Sequence, residues 1–526
     1  MKRTIALVLG ILAGATAAAD PPSDFFWLDD YLADHSTDCM TGNASDITAA
    51  LQEALDDVTS DGGTLVLSNG ETCAFDTILE INGGANFVIE GNGATLQFTS
   101  TSPGGNSGGI RIQNSSDFEI RNLTIVGDKP SFSPTCAGIG LIHLVSVQNA
   151  VFVNTTVLKG NLDGFIVRAP ISSEEEDYSR NVRFVGCTAN ENCRHGWGIA
   201  LGDNIQILGG TANRNSGEYS GSLPISSGVR IEPNSLEGED PNKILIRNVL
   251  ISGMTLIRNA GNGIHLGTGG GGGINTEEVR IVDNVIVGDP DPDSGDYLGA
   301  VRIAAGRDIL FRGNQIVNHS EALQDAVLEV HWKADRVAID GNRFEDITAP
   351  TDLIQVQAGT NVPEAIHITG NQFVNIDPST NQGSVAVIFH EGTDAVIADN
   401  QMTHVTTRAI EVLGDRAIIR SNVLKGMKAN VVYLDSEDTE FSGNSIHLET
   451  AGTSANTDAV VYTASSSIDN LVRSNSLFCT GTTQKGFYFS QTLQVFTDNS
   501  VNDCSTPGWH SGQASLAHLD TDNRRY

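Results

Sequence analysis

Seven charged or ionisable residues between positions 230 and 333 lie in short apolar segments and have the types needed to act on an anionic substrate. Arginine and lysine hold a carboxylate and stabilise an enolate-like intermediate, while histidine or glutamate accepts a proton from the neighbouring carbon. This combination indicates proton abstraction next to a carboxylate, provided that the fold brings the side chains together. The seven residues are Arg230, Glu232, His265, Arg302, Glu329, His331 and Lys333.

Each of the seven has an expected role in such a reaction. Arg230 and Arg302 clamp the substrate carboxylate, and Lys333 is a further substrate-binding cation. His265 or His331 is the catalytic base. Either glutamate of the set orients that histidine or assists the return of the proton.

The elements that must position these residues are short strands joined by recurring bends. Apolar strands end in Asn or Gly and are followed by a second short strand. Asn and Gly adopt the left-handed backbone conformation at least cost, so we expect one such residue to mark a sharp bend in each repeat. The expected bend residues are Asn92, Asn122, Asn154, Gly186, Gly209, Gly253, Asn284, Asn314, Asn342, Asn371, Asn400, Asn422, Asn444, Asn475 and Asn499.

A second family of strands alternates with these bends and shows apolar residues at every second position. Its repeats average about 29 residues from Ile110 to Phe487. One repeat cannot bury its inner face alone, so stacked coils that share an apolar interior are expected. The sequence therefore predicts an all-β fold, a parallel β-helix of about 14–15 coils. The strands are at 108–113, 137–142, 163–168, 195–200, 227–232, 262–267, 299–304, 353–357, 408–413 and 430–435.

In such a stack, residues at one strand position of successive coils lie about 4.8 Å apart, so a site forms as a row across coils. Ile110, Ile139, Phe165, Val229, Ile264, Val301 and Ile410 are expected to point inward. The residues that follow them then point outward as Arg111, Gly140, Ile166, Arg230, His265, Arg302 and Glu411. Leu328 and Val330 are likewise expected inside, with Glu329, His331 and Lys333 outside or in the following turn. The charged residues then form one strip over four coils. Because grouped cations repel each other, we expect an anionic substrate to bind to this strip.

Composition excludes several classes of partner. The chain has 526 residues, with 31 Lys+Arg against 64 Asp+Glu and a formal net charge of −33. Such a surface repels nucleic-acid phosphates and anionic lipid heads, so neither nucleic acid nor membrane is expected as a partner. The 39% apolar content argues against general disorder, and 56 Gly residues favour short strands and turns.

The chain is expected to divide into four segments. Residues 1–19 read as a secretory signal peptide, which predicts a secreted or periplasmic protein. Residues 20–91 form an amino-terminal cap and the first coils, with a helix over Asp46–Val58 that Ser45 or Asp46 caps and that plugs the first coil. Residues 92–504 form the β-helix, and residues 505–526 form a carboxyl-terminal tail or cap.

Seven cysteines in an exported chain predict disulfides with at least one thiol left free. Proximity in the sequence suggests Cys39 with Cys73, Cys187 with Cys193, and Cys479 with Cys504.

No cofactor is required by the proposed chemistry, and calcium is a lesser candidate. Asp289, Asp291, Asp293 and Asp296 alternate in one loop, and such carboxylates are ligands for a hard cation. A solvated acidic loop is the alternative. The glycine run 269–273 reads as a flap beside His265.

A second group of polar segments carries a resemblance to a known family. Asn161-Leu162-Asp163-Gly164, Arg194-His195-Gly196 and residues 228–232 lie on three successive repeats, and the predicted helix precedes a glycine-rich strand at 60–75. Over roughly residues 46–504 the chain resembles the pectate-lyase-like superfamily. These are secreted right-handed β-helix proteins that include polysaccharide lyases, uronan epimerases, polygalacturonase-type hydrolases and phage tailspikes.

The resemblance extends to polygalacturonase motifs on consecutive coils. Residues 161–163 resemble that family's Asn-Thr-Asp, residues 194–196 its Gly-His-Gly, and residues 230–232 its Arg-Ile-Lys. This adds Asp163 and His195 as catalytic candidates and Arg194 as a substrate-binding one. The family's Asp-Asp pair is missing, and Glu232 replaces its lysine, so the acid and base of the hydrolase are not reproduced.

Three functions remain open from the sequence. The first is a lyase or epimerase that acts on an acidic, uronate-containing polysaccharide or oligosaccharide. The second is a polygalacturonase-like glycoside hydrolase, in which Asp163 and Glu232, about 10 Å apart at the strand spacing, are a marginal inverting pair. Glu232 and Glu329, about 14 Å apart, are too distant for one. The third is a non-catalytic glycan-binding or surface β-helix.

Overall fold

The computed structural model describes most of the chain in segments. These are residues 24–99, 108–129, 136, 139–168, 177–216, 226–233, 244–268, 275–288, 299–319, 326–348, 351–377, 385–427, 431–448, 459–464, 467–479, 485–489, 494–504 and 524–525. The predicted signal peptide, the acidic loop 289–296, the glycine run 269–273 and nearly all of the predicted tail lie outside them and stay predictions.

The strands stack as coils, and every pairing among the described strands is parallel. Each strand bonds to the strand one turn later, as Ile110–Gln113 does to Ile142–Val145 and as Ile142–Val145 does to Phe165–Arg168. The coils carry three strand positions, which form three walls around one interior. The predicted fold, a right-handed parallel β-helix, is confirmed.

The first wall carries the candidate site, and its strands are Leu79–Asn82, Ile110–Gln113, Ile142–Val145, Phe165–Arg168, Trp197–Ile199, Val229–Ile231, Ile264–Leu266, Val301–Arg312, Leu328–Asp340, Ile354–Val356, Ala386–His390, Arg408–Val412, Val432–Leu434, Ala459–Thr463 and Lys485–Phe489. The strands Val301–Arg312 and Leu328–Asp340 continue into the second wall. The other strands of that wall are Phe25–Trp27, Gly63–Val66, Phe87–Glu90, Ser116–Arg121, Gln148–Val153, Ser179–Val185, Gly202–Leu208, Ile246–Ser252, Thr276–Val282, His367–Thr369, Val396–Ala398, Ile418–Arg420, Glu440–Ser442, Asn470–Arg473 and Gln494–Thr497. The third wall consists of Thr72–Phe75, Thr95–Phe98, Thr124–Val126, Thr156–Leu158, Thr188–Asn190, Thr211–Asn213, Thr255–Ile257, Val285–Val287, Gln315–Val317, Arg343–Ile347, Gln372–Ile376, Gln401–Val405, Val423–Met427, Ser445–Leu448, Ser476–Phe478, Ser500–Asn502 and Arg524–Arg525.

Alternation along the strands fills the interior with apolar side chains. Val229, Ile264, Val301 and Leu328 are fully buried, as expected from the sequence. Because neighbouring coils place like residues above one another, apolar side chains pack in rows, and each fully buried one contributes about 1.5–3 kcal/mol. One predicted strand was out of phase: the strand is Ile142–Val145, so His143 and not Gly140 follows Arg111 in the outward row.

Two helices, α1 (Leu28–Asp34) and α2 (Ala44–Asp61), precede the first coil. The apolar face of α2 is buried, which confirms the predicted helix, but its amino-terminal cap is Asn43, whose side chain accepts a hydrogen bond from Asp46 N. Gln52 of α2 bonds both backbone groups of Glu80, at 2.8 and 2.9 Å. The helix thereby satisfies part of the open strand edge of the first coils.

The bend asparagines have two different roles. Asn92, Asn122 and Asn154 have positive φ as predicted, and so do the three expected glycines. From Asn284 onward the prediction was wrong, because the left-handed residue is the preceding one, such as Asp283 or Gly370. The asparagine itself is buried, and its side chain bonds the asparagine of the next coil.

This buried asparagine ladder joins nine coils from Asn284 to Asn499. Asn371 shows the pattern: its Oδ1 accepts from Asn342 N and Nδ2, at 2.9 and 3.0 Å. Its Nδ2 donates to Ile339 O at 2.8 Å and to Asn400 Oδ1 at 3.0 Å. Since buried polar groups must be paired, the ladder fixes the bends of successive coils in register.

Two of the three predicted disulfides are confirmed. Cys39 is bonded to Cys73, and Cys479 to Cys504. The pairing of Cys187 with Cys193 was wrong, because Cys193 is bonded to Cys136. Cys187 follows the bend residue Gly186 and is buried as a free thiol in the interior.

Three disulfides are typical of proteins from oxidising compartments. None of the helices in the described ranges has the length and apolar character needed to cross a bilayer.

Replacement of Asn371 by Ala tests the ladder. It removes the acceptor for two donors of Asn342 and the donor to Ile339 O, so the free energy of unfolding should fall by about 3 kcal/mol. Urea denaturation measures it. The control Asn361→Ala alters an exposed side chain. An equal, small effect of both substitutions would contradict a structural role of the ladder.

Candidate active site

Register places four of the predicted residues in one outward row of the first wall. Arg230 pairs with His265, His265 with Arg302, and Arg302 with Glu329. Adjacent members are therefore about 4.8 Å apart at the backbone. The structure thus brings together Arg230, His265, Arg302 and Glu329, as the strand pattern predicted.

Both arginines of this row are bound by carboxylates of the protein itself. Arg230 forms a two-pronged pair with Glu232, with Nε–Oε2 and Nη2–Oε1 distances of 2.6 and 2.7 Å. Arg302 Nε lies 3.0 Å from Glu329 Oε2 on the next coil. The sequence predicts a strip of cations whose charge is balanced by a bound anionic substrate. The structure shows instead a row whose charges largely balance.

Glu329 joins Arg302 to His331. Its side chain is only 5% exposed, and its Oε1 lies 2.8 Å from His331 Nε2. His331 Nε2 also lies 3.1 Å from Arg302 Nη2. The carboxylate therefore orients both a guanidinium and an imidazole, as the hypothesis for the glutamates requires.

His265 lies between the two arginines and is half-buried. Burial, followed by the charges of Arg230, Arg302 and His331, holds its pKa well below the ordinary value of 6.5. The imidazole is therefore unprotonated at neutral pH and retains a lone pair for a proton.

Lys333 is displaced from this row. The pairing of the two strands is irregular between Ile303 and Ala305, and Lys333 follows that point. Its ammonium lies 4.5 Å from the centre of the Trp332 ring. The structure places Lys333 against this aromatic face.

The second group of predicted residues forms a buried network beside the row. Asp163 is fully buried and accepts two hydrogen bonds from Arg194, at 2.8 and 2.7 Å. It also accepts from the backbone N of His195 at 3.1 Å. With its oxygens engaged and covered, Asp163 anchors the loop and does not face solvent as an inverting carboxylate would.

His195 belongs to the same network. It is 2% exposed, and its Nδ1 accepts from Ser227 N at 3.0 Å, which places any ring proton on Nε2. Burial, followed by the charges of Arg194, Arg230 and His265, holds its pKa well below 6.5. Arg194 remains partly exposed, at 27% of its side chain.

The outward row has a glycine, Gly198, at the position that adjoins Asp163. Gly198 pairs with Arg230, and a Cβ atom at position 198 would lie 2.8 Å from Asp163 Oδ2. A larger residue there would displace the carboxylate or the strand.

The row extends further than sequence reasoning had placed the site. Beyond Glu329, the next outward residues are Gln355, Phe389, Glu411, Tyr433, Tyr462 and Tyr488. The three tyrosine rings are stacked, with centroids 5.3 and 5.0 Å apart. The apolar alternation of these strands was the available signal, since it already predicts that Glu411 points outward.

A second cluster of charged residues lies along this extension. Arg408 is paired with Glu411, and its guanidinium lies 4.7 Å from the Tyr433 ring. Asp352 Oδ1 accepts from Ala386 N at 2.6 Å, and Ala386 pairs with Arg408. Burial, with the nearby Glu411 charge as a further cause, raises the pKa of Asp352 to about 6. The sequence does not predict Asp352 as a site residue, because it precedes the strand Ile354–Val356 and is not part of the alternating apolar pattern.

No cluster of three or more His, Cys, Asp or Glu side chains suited to a metal ion occurs in the described segments. The predicted calcium loop at 289–296 is outside these segments. A cavity that Asn190, Asn213 and Arg214 help to line lies at the carboxyl-terminal ends of successive third-wall strands, and no residue of the row lines it.

No protein-family model matches the chain, and no curated protein matches it. Solved structures are similar to it at low identity. A tailspike protein of an E. coli bacteriophage, solved with a pentasaccharide, is 10% identical with a TM-score of 0.49, over 86% of this chain and 78% of the tailspike. The A-module of a mannuronan C-5 epimerase from Azotobacter vinelandii is 18% identical with a TM-score of 0.40, over 69% and 99%. A surface adhesin of Streptococcus pneumoniae is 13% identical with a TM-score of 0.36, over 82% and 93%.

The chain spans 58%, 66% and 62% of three further matched chains, two of them tailspike proteins, and so less than two thirds of their length. The strand pairing itself carries the fold assignment. The chain is a right-handed parallel β-helix, the fold of the superfamily that its motifs resemble.

Proposed function

We propose that this protein acts on a uronate-containing polysaccharide as a lyase or epimerase, with His265 as the base that removes the proton next to the carboxylate. The observation that carries the proposal is the imidazole of His265, held between the guanidinium groups of Arg230 and Arg302 in one outward row. Burial and these charges keep its pKa well below 6.5. A base with a lone pair at neutral pH and cations beside it are what the reaction needs.

Arg230 is the better placed of the two arginines to receive the substrate carboxylate. Its Nη1 is buried and has no hydrogen-bond partner in the described segments, while Nε and Nη2 hold Glu232. The two N–H groups of Nη1 therefore remain for a substrate oxygen without loss of the ion pair. Since buried donors are rarely left unpaired, a bound oxygen at this position would also relieve a cost to the free protein.

The reaction then proceeds through groups of the row. His265 takes the proton from the carbon next to the carboxylate, and the electron pair delocalises into an enolate-like carboxylate that Arg230 and Arg302 stabilise. In elimination, that pair forms the double bond as the glycosidic oxygen leaves with the electrons of its bond and takes a proton from solvent water. In epimerisation, a proton returns from the opposite face, and His331, oriented by Glu329, is the donor in this scheme.

Replacement of His265 by Gln should abolish the activity while the fold persists. Turnover should fall at least about 100-fold, the usual contribution of a general base. Lyase activity is read as the rise in ultraviolet absorbance of the unsaturated product, and epimerase activity as proton exchange with deuterated solvent, on a panel of uronans. The matched control is His367→Gln, an exposed histidine of the second wall. Unchanged turnover of the His265 variant would refute the assignment.

The dependence of activity on pH gives a second test. Since the pKa of His265 lies well below 6.5, the base stays unprotonated as the pH falls through 6.5. The value of kcat/KM should therefore hold its plateau there and decline only at lower pH. Removing one of the charges that lower this pKa, by Arg302→Gln, should move the acid limb to higher pH. An acid limb at 6.5 in the wild type would contradict the proposal.

A glycoside hydrolase is the second candidate function, favoured by the cluster of Asp352 and Glu411. Their environments differ: Asp352 has a pKa raised to about 6, while Glu411 is paired with Arg408. A carboxyl group with a raised pKa near a second carboxyl group that is paired with an arginine suits the acid and base of glycoside hydrolysis.

Hydrolysis would produce reducing ends without an unsaturated product. For this candidate, Asp352→Asn should remove that activity and His265→Gln should leave it in place, and the lyase predicts the reverse pattern. Binding of a glycan with neither product and without proton exchange would indicate the non-catalytic function instead.

A further inference from the structure

His143 is an outward residue of the first wall that is nevertheless buried. It is 1% exposed, and neither ring nitrogen has a hydrogen-bond partner in the described part of the chain. Most buried polar atoms in proteins are bonded, and each exception calls for an explanation such as a bound ion or water. His143 therefore points to a ligand.

Two arginines flank His143. Arg111 pairs with it directly in the preceding coil, and Arg168 ends the strand of the following coil, where it pairs with Val145. Arg168 Nε is also buried without a hydrogen-bond partner among the described residues. Arg111 donates to Glu80 at 3.1 Å, so one of the two guanidinium groups already has a carboxylate.

The cluster of Arg111, His143 and Arg168 carries more positive than negative charge in the described segments. Burial, followed by the charges of Arg168 and Arg111, lowers the pKa of His143 to about 3. Burial and the Arg111 charge also lower the pKa of Arg168. In the described segments, these two arginines are the charged groups that act on His143. Glu80 offsets the charge of Arg111, but no described carboxylate is paired with Arg168. A partly buried cation without a counter-charge is costly, and it is unexpected in a chain of net charge −33.

We propose that Arg111, His143 and Arg168 form a binding site for an oxyanion, in which Arg168 Nε and a ring N–H of His143 donate to its oxygens. The class comprises sulfate, phosphate and carboxylate groups, either free or carried by a glycan. The bound anion supplies the counter-charge and satisfies the unpaired nitrogens. The site goes beyond the proposed function, since four strand spacings, about 19 Å, separate His143 from His265.

Anion binding at this site is coupled to proton binding. The negative charge raises the pKa of His143 toward its ordinary value of 6.5, and the protonated ring has two N–H donors in place of one. At pH 7.5 the ring is unprotonated both with and without the anion. As the pH falls below 6.5, the complex takes up a proton that the free protein does not, so affinity rises.

Titration calorimetry on the full chain with inorganic sulfate and phosphate tests the site. We expect saturable binding of one anion. For sulfate, whose own charge is constant over this range, binding should be up to about tenfold tighter at pH 5.5 than at pH 7.5, because pH 5.5 lies one unit below the ordinary pKa of histidine. Repeating the titration in buffers of different ionisation enthalpy should show uptake of up to one proton at pH 5.5. This readout uses the unaltered protein.

Two variants identify the residues responsible. Arg168→Met should weaken binding at least tenfold, and His143→Gln should retain weaker binding without the dependence on pH. The control Arg420→Met replaces an exposed arginine of the second wall and should leave binding unchanged. Tighter binding of sulfated or carboxylated oligosaccharides than of the free anions would identify a glycan group as the source, and equal binding would identify a free anion.

The proposal is overturned if neither anion saturates a single site, or if saturable binding occurs without proton uptake at pH 5.5. Equal affinity of the wild type and the Arg168 variant would also overturn it. None of these three results depends on the lyase or hydrolase assays, so failure here leaves the proposed function untouched.

Discussion

The parallel hydrogen-bonded stacking of the coils is the constraint on which the rest of this structure depends. It sets one spacing, about 4.8 Å, for every row of side chains on the walls and in the interior. The buried ladder from Asn284 to Asn499 repeats that spacing with side-chain amides, because each Oδ1 accepts from the backbone and the amide of the preceding coil. A bend that slipped by one residue would leave several buried groups unpaired, so the ladder protects the register.

The same spacing gives the candidate site its character. The guanidinium of Arg302 forms an ion pair with the carboxylate of Glu329 on the next coil. Arg230 forms an ion pair with Glu232, two residues further along the chain. The protein thus offsets its own cations while leaving His265 between two positive charges. Balanced charge and an unprotonated imidazole coexist because the ion pairs are local, whereas burial and both guanidiniums act on the ring together.

Much of the fold follows from the sequence because alternation of apolar residues decides which side of a strand is buried. The rows through Val229, Ile264 and Val301 were predicted on that basis. The predictions were wrong where a bend or an inserted segment obscured which residues of the strand alternate. His143 was missed because the preceding glycine-rich segment also alternates, and the asparagines from Asn284 onward were misread because their bend residue precedes them. The disulfide of Cys193 was also mispredicted, because its partner, Cys136, lies 57 residues away in the sequence.

The sequence alone determined the stacked coils, the outward row and the types of chemical groups in it, since each depends on local alternation and on residue identity. Only the tertiary structure decided which outward side chains pair with each other, that Asp163 is covered and that His265 and His143 are held unprotonated. Ion pairing and burial depend on the direction of side chains across neighbouring coils and on what covers them. That information is not contained in the spacing of residues along one strand.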